Sequence, residues 1–339
     1  MSDNAFCLDI GEKFIRVVDS KLKGNLIEVQ TYGQTGAMPF YYNGGSDKNI
    51  ESQADIIREL VTTLKIKKRN VNVIIPDSFS YSQIIDVPRL NDKELQSAIR
   101  YQADQFIPMP LDDISLDLEI IKEDVKNKQN TILLIASPKK IVSQLEKTLE
   151  YAGLNPVSLE NEFSAIRRFY IEIGKFIAPS VLLLVNIGYT TSSIYLIDQI
   201  SSVSFSRTIK IGLDIFIKDV KLNLNIDEKK ALEILQQIGF EKNASINLQP
   251  YVQTILSELI GEINKFIILA KDKYNISLSQ VILLNYNSLI MSLEKEIQTS
   301  LGIPTQSLTM ENFLVKNSIS SSFNGVSSSY ISALVGGIR

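Results

Sequence analysis

The sequence has no histidine and a single cysteine, Cys7. Without an imidazole, Ser-His-Asp and Cys-His catalysis, His-ligated zinc and a phosphohistidine intermediate are all excluded. A lone thiol excludes an internal disulfide, and its place in an apolar run marks Cys7 as an inert core residue. Chemistry is left to carboxylates, hydroxyls, lysine and bound Mg²⁺. Long apolar runs are missing too. The longest, Phe176 to Val185, is broken by Pro179 and Ser180 and falls short of the ~20 residues a membrane span needs. Asp3 and Asp9 interrupt any apolar core near the start, so no signal peptide is expected and the chain is expected in the cytoplasm. Net charge is −3, and the nearest thing to a basic stripe, Lys65 to Arg69, reads as a solvated helix end. Nucleic acid is not an expected partner.

Against these absences stand 339 residues, 45% apolar and 22% charged, enough for a large core divided over two or more domains. One pattern occurs twice. Cys7-Leu8-Asp9-Ile10-Gly11-Glu12-Lys13-Phe14-Ile15-Arg16-Val17-Val18 opens the first half, and Leu184-Val185-Asn186-Ile187-Gly188-Tyr189-Thr190-Thr191-Ser192-Ser193-Ile194-Tyr195 opens the second. Each reads as a hairpin with glycine at its tip. Two such tips facing one another could grip a phosphate chain through their backbone N–H groups. Two unrelated buried hairpins would need glycine as well, but matching positions in the two halves favour a duplicated α/β fold. Two related lobes around a cleft are the arrangement of the actin and sugar-kinase superfamily.

The pattern along the chain fits that plan. A third strand follows at Leu26 to Tyr32, helical spacing runs from Glu51 to Leu64, and Val71 to Pro76 is a short buried strand. Asn91 and Glu94 form a capping-box-like helix start, and Pro108 and Pro110 end that helix and force an extended exit. Strands at Leu116 to Lys122 and Thr131 to Ala136, then a helix at Pro138 to Ala152, complete a βαββα insertion in the first lobe. Leu213 to Leu224, Asp227 to Ile238 and Val252 to Tyr274 are helical by spacing, and the serine-rich Ser318 to Ser329 reads as a loop. The expected division is residues 1–80 first lobe core, 81–155 insertion, 156–179 return to the first lobe, 180–210 second lobe core, 211–278 helical subdomain, and 279–339 second lobe core with closing helices.

The run Arg100-Tyr101-Gln102-Ala103-Asp104-Gln105-Phe106-Ile107-Pro108-Met109-Pro110-Leu111-Asp112-Asp113, with Leu116-Asp117 after it, resembles the hallmark of the type IV pilus assembly protein PilM family, relatives of the cell-division actin homologue FtsA. Ala152-Gly153-Leu154-Asn155-Pro156, Glu162-Phe163-Ser164-Ala165 and the terminal Ala333-Leu334-Val335-Gly336 are similar to further family segments.

The resemblance implies a two-lobed actin-like ATPase fold with ATP and Mg²⁺ in the cleft. It places Asp9, Gly11, Glu12 and Lys13 at the first hairpin and Asn186, Gly188, Thr190 and Thr191 at the second, with Asp9 and Asn186 holding Mg²⁺ through water. Gly212, Glu233, Asn285 and Asn287 fall on the ribose and adenine side. This sequence departs from the pattern at several of these positions. Glu12 stands where small Ser or Thr is usual, Asn186 replaces Asp, and Asn285-Tyr286-Asn287 replaces Ser-Gly-Gly. A weakened ATP site is therefore expected, and at most a weak ATPase. Family members receive an N-terminal peptide of the inner-membrane protein PilN beside the insertion, which puts the expected partner surface on Phe106, Ile107, Met109 and Leu111. The implied function is a cytoplasmic scaffold of the pilus inner-membrane platform, peripheral to the membrane through a PilN-like partner, with self-association open. Two alternatives remain. An ATPase or sugar-kinase-like phosphotransferase would need a catalytic Asp in the cleft and an intact Gly-Gly strand. An FtsA-like filament former would need a C-terminal amphipathic helix, whereas the sequence stops at Ile338-Arg339 after its last core helix.

Overall fold

The computed structural model describes residues 5–43, 45–90, 94–95, 97, 99, 107, 109–173, 181–198, 204–241, 244, 246–323 and 325–338. Strands β1 (Ala5–Ile10), β2 (Phe14–Lys23) and β3 (Leu26–Gly36) form an antiparallel meander. Helix α1 (Asp47–Thr63) follows, started by Ser46, whose Oγ accepts the Asn49 N–H at 3.3 Å. Its Ala54, Ile57, Leu60 and Val61 recur at helical spacing and bury against the sheet. Strand β4 (Asn70–Ile75) then lies parallel beside β1.

The inserted sheet comes next, with β5 (Tyr81–Pro88), β6 (Ile114–Asp124) and β7 (Gln129–Pro138) in the order β5-β7-β6. Glu94, Leu95, Ser97 and Ile99 are helical, as the capping pattern predicts; Asn91 lies outside the described residues. Leu95, Ile99, Ile107 and Leu134 build a separate small core there. Helix α2 (Lys139–Tyr151) differs from its expected place in the insertion. Its Ile141, Leu145 and Leu149 share the core of α1, because the apolar stripe faces the first lobe.

Strand β8 (Asn155–Asn161) returns to the first sheet, giving the order β3-β2-β1-β4-β8, and leads into α3 (Glu162–Glu172). The second lobe repeats the scheme. Strands β9 (Val181–Ile187), β10 (Ser192–Asp198), β11 (Ser204–Ile209), β12 (Val281–Asn285) and β13 (Thr305–Ser307) adopt the order β11-β10-β9-β12-β13. In both lobes an antiparallel meander is extended by two parallel strands, so the duplication inferred from two short motifs extends through the sheets. Helices α4 (Leu213–Leu224), α5 (Glu228–Gln237) and α6 (Gln249–Tyr274) separate β11 from β12.

The end of the chain differs from expectation twice. After α7 (Leu293–Leu301), the serine-rich stretch contains a short helix, α8 (Ser318–Phe323). Asn317 Oδ1 accepts the Ser320 N–H at 2.7 Å, and buried Phe323 and Tyr330 anchor the segment to Tyr32 of β3. The last helix, α9 (Ile331–Gly336), packs on β1, β2 and β4 of the first lobe, whereas the sequence division puts residues 279–339 in the second. A Cβ at Gly336 would lie 2.6 Å from Cys7 Sγ, so only glycine allows this approach.

Candidate functional site in the interlobe cleft

The paired hairpins set the geometry. Gly188 closes the second turn so tightly that a Cβ there would lie 2.2 Å from the Thr191 carbonyl oxygen. In the first, the Gly11 N–H donates to Phe14 O at 3.0 Å. The two tips face each other, as the repeat predicts. Thr190 Oγ1 donates to Glu12 Oε1 at 2.9 Å across the cleft, and Ser78 Oγ donates to the same oxygen at 2.8 Å. Lys13 Nζ lies 2.9 Å from Glu228 Oε1 on α5 and 5.3 Å from the centre of the Tyr189 ring.

Beneath the tips lies a buried ion pair. Arg16 Nη1 stands 3.3 Å from Asp9 Oδ2, and each residue is 2% exposed. The guanidinium carbon is 4.7 Å from the centroid of Tyr286, which comes from the second lobe. Burial lifts the Asp9 carboxyl above its usual range, with Arg16 pulling it back. For Arg16, burial works against the charge, but Tyr286 and Asp9 more than offset it, and the guanidinium stays charged.

A second polar cluster adjoins the first. Asp77 Oδ1 accepts the Phe163 N–H at 3.1 Å, and the Asp77 N–H donates to Glu162 Oε2 at 3.2 Å, tying both carboxyls to the start of α3. Tyr195 of the second lobe donates to Asp77 Oδ2, and Asn186 Nδ2 donates to the Tyr195 hydroxyl at 3.0 Å. Burial, and then Asp77, push Glu162 up to about 8. Asn186 Oδ1 is buried without a partner in the structure.

The residues expected on the ribose and adenine side make contacts within the chain. The Leu213 and Asp214 N–H groups donate to the carbonyls of Gly188 and Tyr189 at 3.0 Å, so the start of α4 behind Gly212 caps the hairpin. Glu233 pairs with Lys230 at 3.2 Å on the surface of α5. Asn285 takes φ 71, the glycine-like conformation that its position requires, but Asn287 binds Ser307 and Ser328 in a structural role. Tyr286 fills the space between Arg16 and β12. The remaining cavity, lined by Asp9, Glu12, Arg16, Asn186, Asn285 and Tyr286 among others, measures about 20 Å³, room for one water molecule. In this arrangement Asp9 pairs with Arg16, and Glu12 accepts from Thr190 of the second hairpin and from Ser78 after β4. Among the described residues no cluster of three or more His, Cys, Asp or Glu side chains could hold a metal.

Sequence reasoning missed Arg16, Asp77 and Tyr195. Arg16 had a signal, since a charged residue inside the apolar run Phe14 to Val18 must find a buried partner. Asp77 and Tyr195 meet only through the fold.

At the insertion, Ile107 is 3% exposed and belongs to the core, while Met109 and Leu111 are half-buried; Phe106 lies outside the described residues. Leu111 borders an open cavity of about 580 Å³ with Ile114, Leu116, Asp112, Asp117 and Lys139.

A family model described as type IV pilus assembly protein PilM matches residues 7–334. The chain belongs to that family. Among solved structures, it is similar to a chain of the PilM-PilN type IV pilus biogenesis complex, with TM-score 0.85 at 20% identity over 98% of this chain and 97% of that one. It is also similar to the ethanolamine utilization protein EutJ from Carboxydothermus hydrogenoformans (TM-score 0.51, 12% identity, 98% and 89% covered). MreB 5 of Spiroplasma citri, solved bound to AMPPNP, gives TM-score 0.50 at 12% identity over 98% and 93%. These likenesses establish the actin-like fold. Among the described residues no helix is long and apolar enough to cross a membrane.

Proposed function

We propose that this chain is a cytoplasmic scaffold of a type IV pilus inner-membrane platform. It docks the N-terminal tail of a PilN-like membrane protein and so stays peripheral to the membrane, and its nucleotide site is degenerate. The observation that carries the scaffold role is family membership over residues 7–334, together with the 0.85 likeness to a chain from a PilM-PilN complex. Support for a degenerate site comes from the buried Arg16–Asp9 pair and the intrusion of Tyr286.

The docking surface falls on the open cavity beside Leu111, with Met109 next to it and Ile107 beneath as support. Half-buried apolar side chains on a proline-fixed segment suit an extended peptide, because little ordering entropy remains to be lost. Calorimetric titration with the tail peptide of the PilN-like partner tests this. Saturable binding by the native chain, weakened about tenfold or more in Leu111→Asp, is expected, since a carboxylate would be desolvated against the bound peptide. No binding by the native chain sinks the scaffold reading; undiminished binding by Leu111→Asp moves the surface elsewhere. A parallel titration with Mg²⁺-ATP is expected to give no saturable heat.

A further inference from the structure

A ligand that bridged the two lobes at this cleft would have to offer an acceptor to the hydroxyls at the hairpin tips and a cation to the Asp9 carboxylate beneath them. Here the chain supplies both. The Glu12 carboxylate accepts from Ser78 of its own lobe and from Thr190 of the other, through a single oxygen. The Arg16 guanidinium sits on Asp9 and against Tyr286 of the second lobe. Lys13 reaches Glu228, and Tyr195 reaches Asp77, so several side-chain contacts cross between the lobes around one small cavity.

We propose that Glu12 and Arg16 form a built-in pseudo-ligand, an anion and a cation carried by β1, β2 and their turn, which holds the lobes closed with no nucleotide. The inference rests on the degenerate-cleft part of the reading above and is independent of the pilus partner. A carboxylate resembles a phosphate oxygen in charge and in its capacity to accept from two hydroxyls, and a guanidinium can neutralise a buried carboxylate as a metal ion would. A clamp closed by covalently attached groups has no ligand dissociation step, so its closed population does not depend on ligand concentration.

The test uses the full chain with spin labels at Lys48→Cys on α1 and Lys271→Cys on α6, both exposed; Cys7 is buried and takes no label. One narrow interlobe distance is expected, unchanged by Mg²⁺-ATP. Glu12→Ala and Thr190→Val each remove the bridge at a site that is not core, and each is expected to lengthen or broaden that distance. Freeing the two hydroxyls and removing the carboxylate should also let Glu12→Ala bind inorganic pyrophosphate about tenfold more tightly than the native chain. A native distance that shortens on adding Mg²⁺-ATP overturns the proposal. So does an unaltered narrow distance in both variants, or pyrophosphate binding equal to that of the native chain. Tail-peptide binding, measured separately, reports on the pilus role and not on the latch.

Discussion

The first hairpin brings Asp9, Glu12, Lys13 and Arg16 to the cleft, whereas the second brings Asn186, Thr190, Thr191 and Ser193, none of them charged. The strand orders around them are the same. Apolar patterning and turn glycines thus preserved the duplicated architecture while the polar positions diverged into complementary sets. The first hairpin supplies ions, and the second supplies hydroxyls and an amide. Two charged hairpins would repel or demand a counter-ion, while two neutral ones would give the lobes little reason to stay in register.

Breaking the charged side should have the largest effect. Arg16→Met leaves Asp9 as an unpaired buried carboxylate, and a loss of about 3–5 kcal/mol is expected by urea unfolding. The double variant Arg16→Met with Asp9→Asn should recover part of it. Charging the neutral side comes next. Asn186→Asp is the change that would restore a Mg²⁺ ligand if the cleft were open, but Asn186 is 2% exposed and close to Asp77 and Glu162. A third carboxyl there should cost about 2 kcal/mol or more, with no gain in Mg²⁺-ATP affinity. A gain would show that the cleft opens to admit metal.

The pH dependence sharpens the contrast between the lobes at Glu162. Its carboxyl is raised from 4.5 to about 8, so between those values the folded chain keeps a proton that the unfolded chain releases. This group's contribution therefore falls as pH rises from about 4.5 to about 8 and levels off above that range. Glu162→Gln should flatten the slope in unfolding free energy measured across the window. An unchanged slope would assign it to other carboxyls. The smallest effect belongs to the rim. Lys13 and Glu228 are 33% and 52% exposed, so Lys13→Ala should cost less than about 1 kcal/mol in a thermal or urea melt, and less still at high salt.

Much of this fold could be read from the sequence because it rests on local chemistry. The glycine-tipped hairpins, the apolar spacing of α1 and α6, and the proline-bounded segment at Pro110 each follow from residues near one another in the chain. The site was less legible. Asp9, Glu12, Gly188 and Thr190 were placed by their motifs, yet what they do depends on Arg16 and Tyr286, which meet across 270 residues of sequence. Strand β2 also hides its signal, because Ile15 to Ser20 are buried on both faces and no alternation singles out Arg16 as facing the cleft. The place of α9 was illegible for a similar reason. Its residues are small or apolar and all buried, a composition that announces burial but not in which lobe.

That placement bears on how the chain is made. Helix α9 covers β1, β2 and β4 with a segment that is translated more than 250 residues after them. Until then the Cys7 and Ile74 side of the first sheet, on which Gly336 closes, is covered only in part, by α3. The early half of a nascent chain is therefore expected to leave part of an apolar face open to chaperones or to a neighbouring chain, while the second lobe can gather around its own core as it emerges. Synthesis order and folding order run opposite to each other here, and the first lobe is the last to be finished.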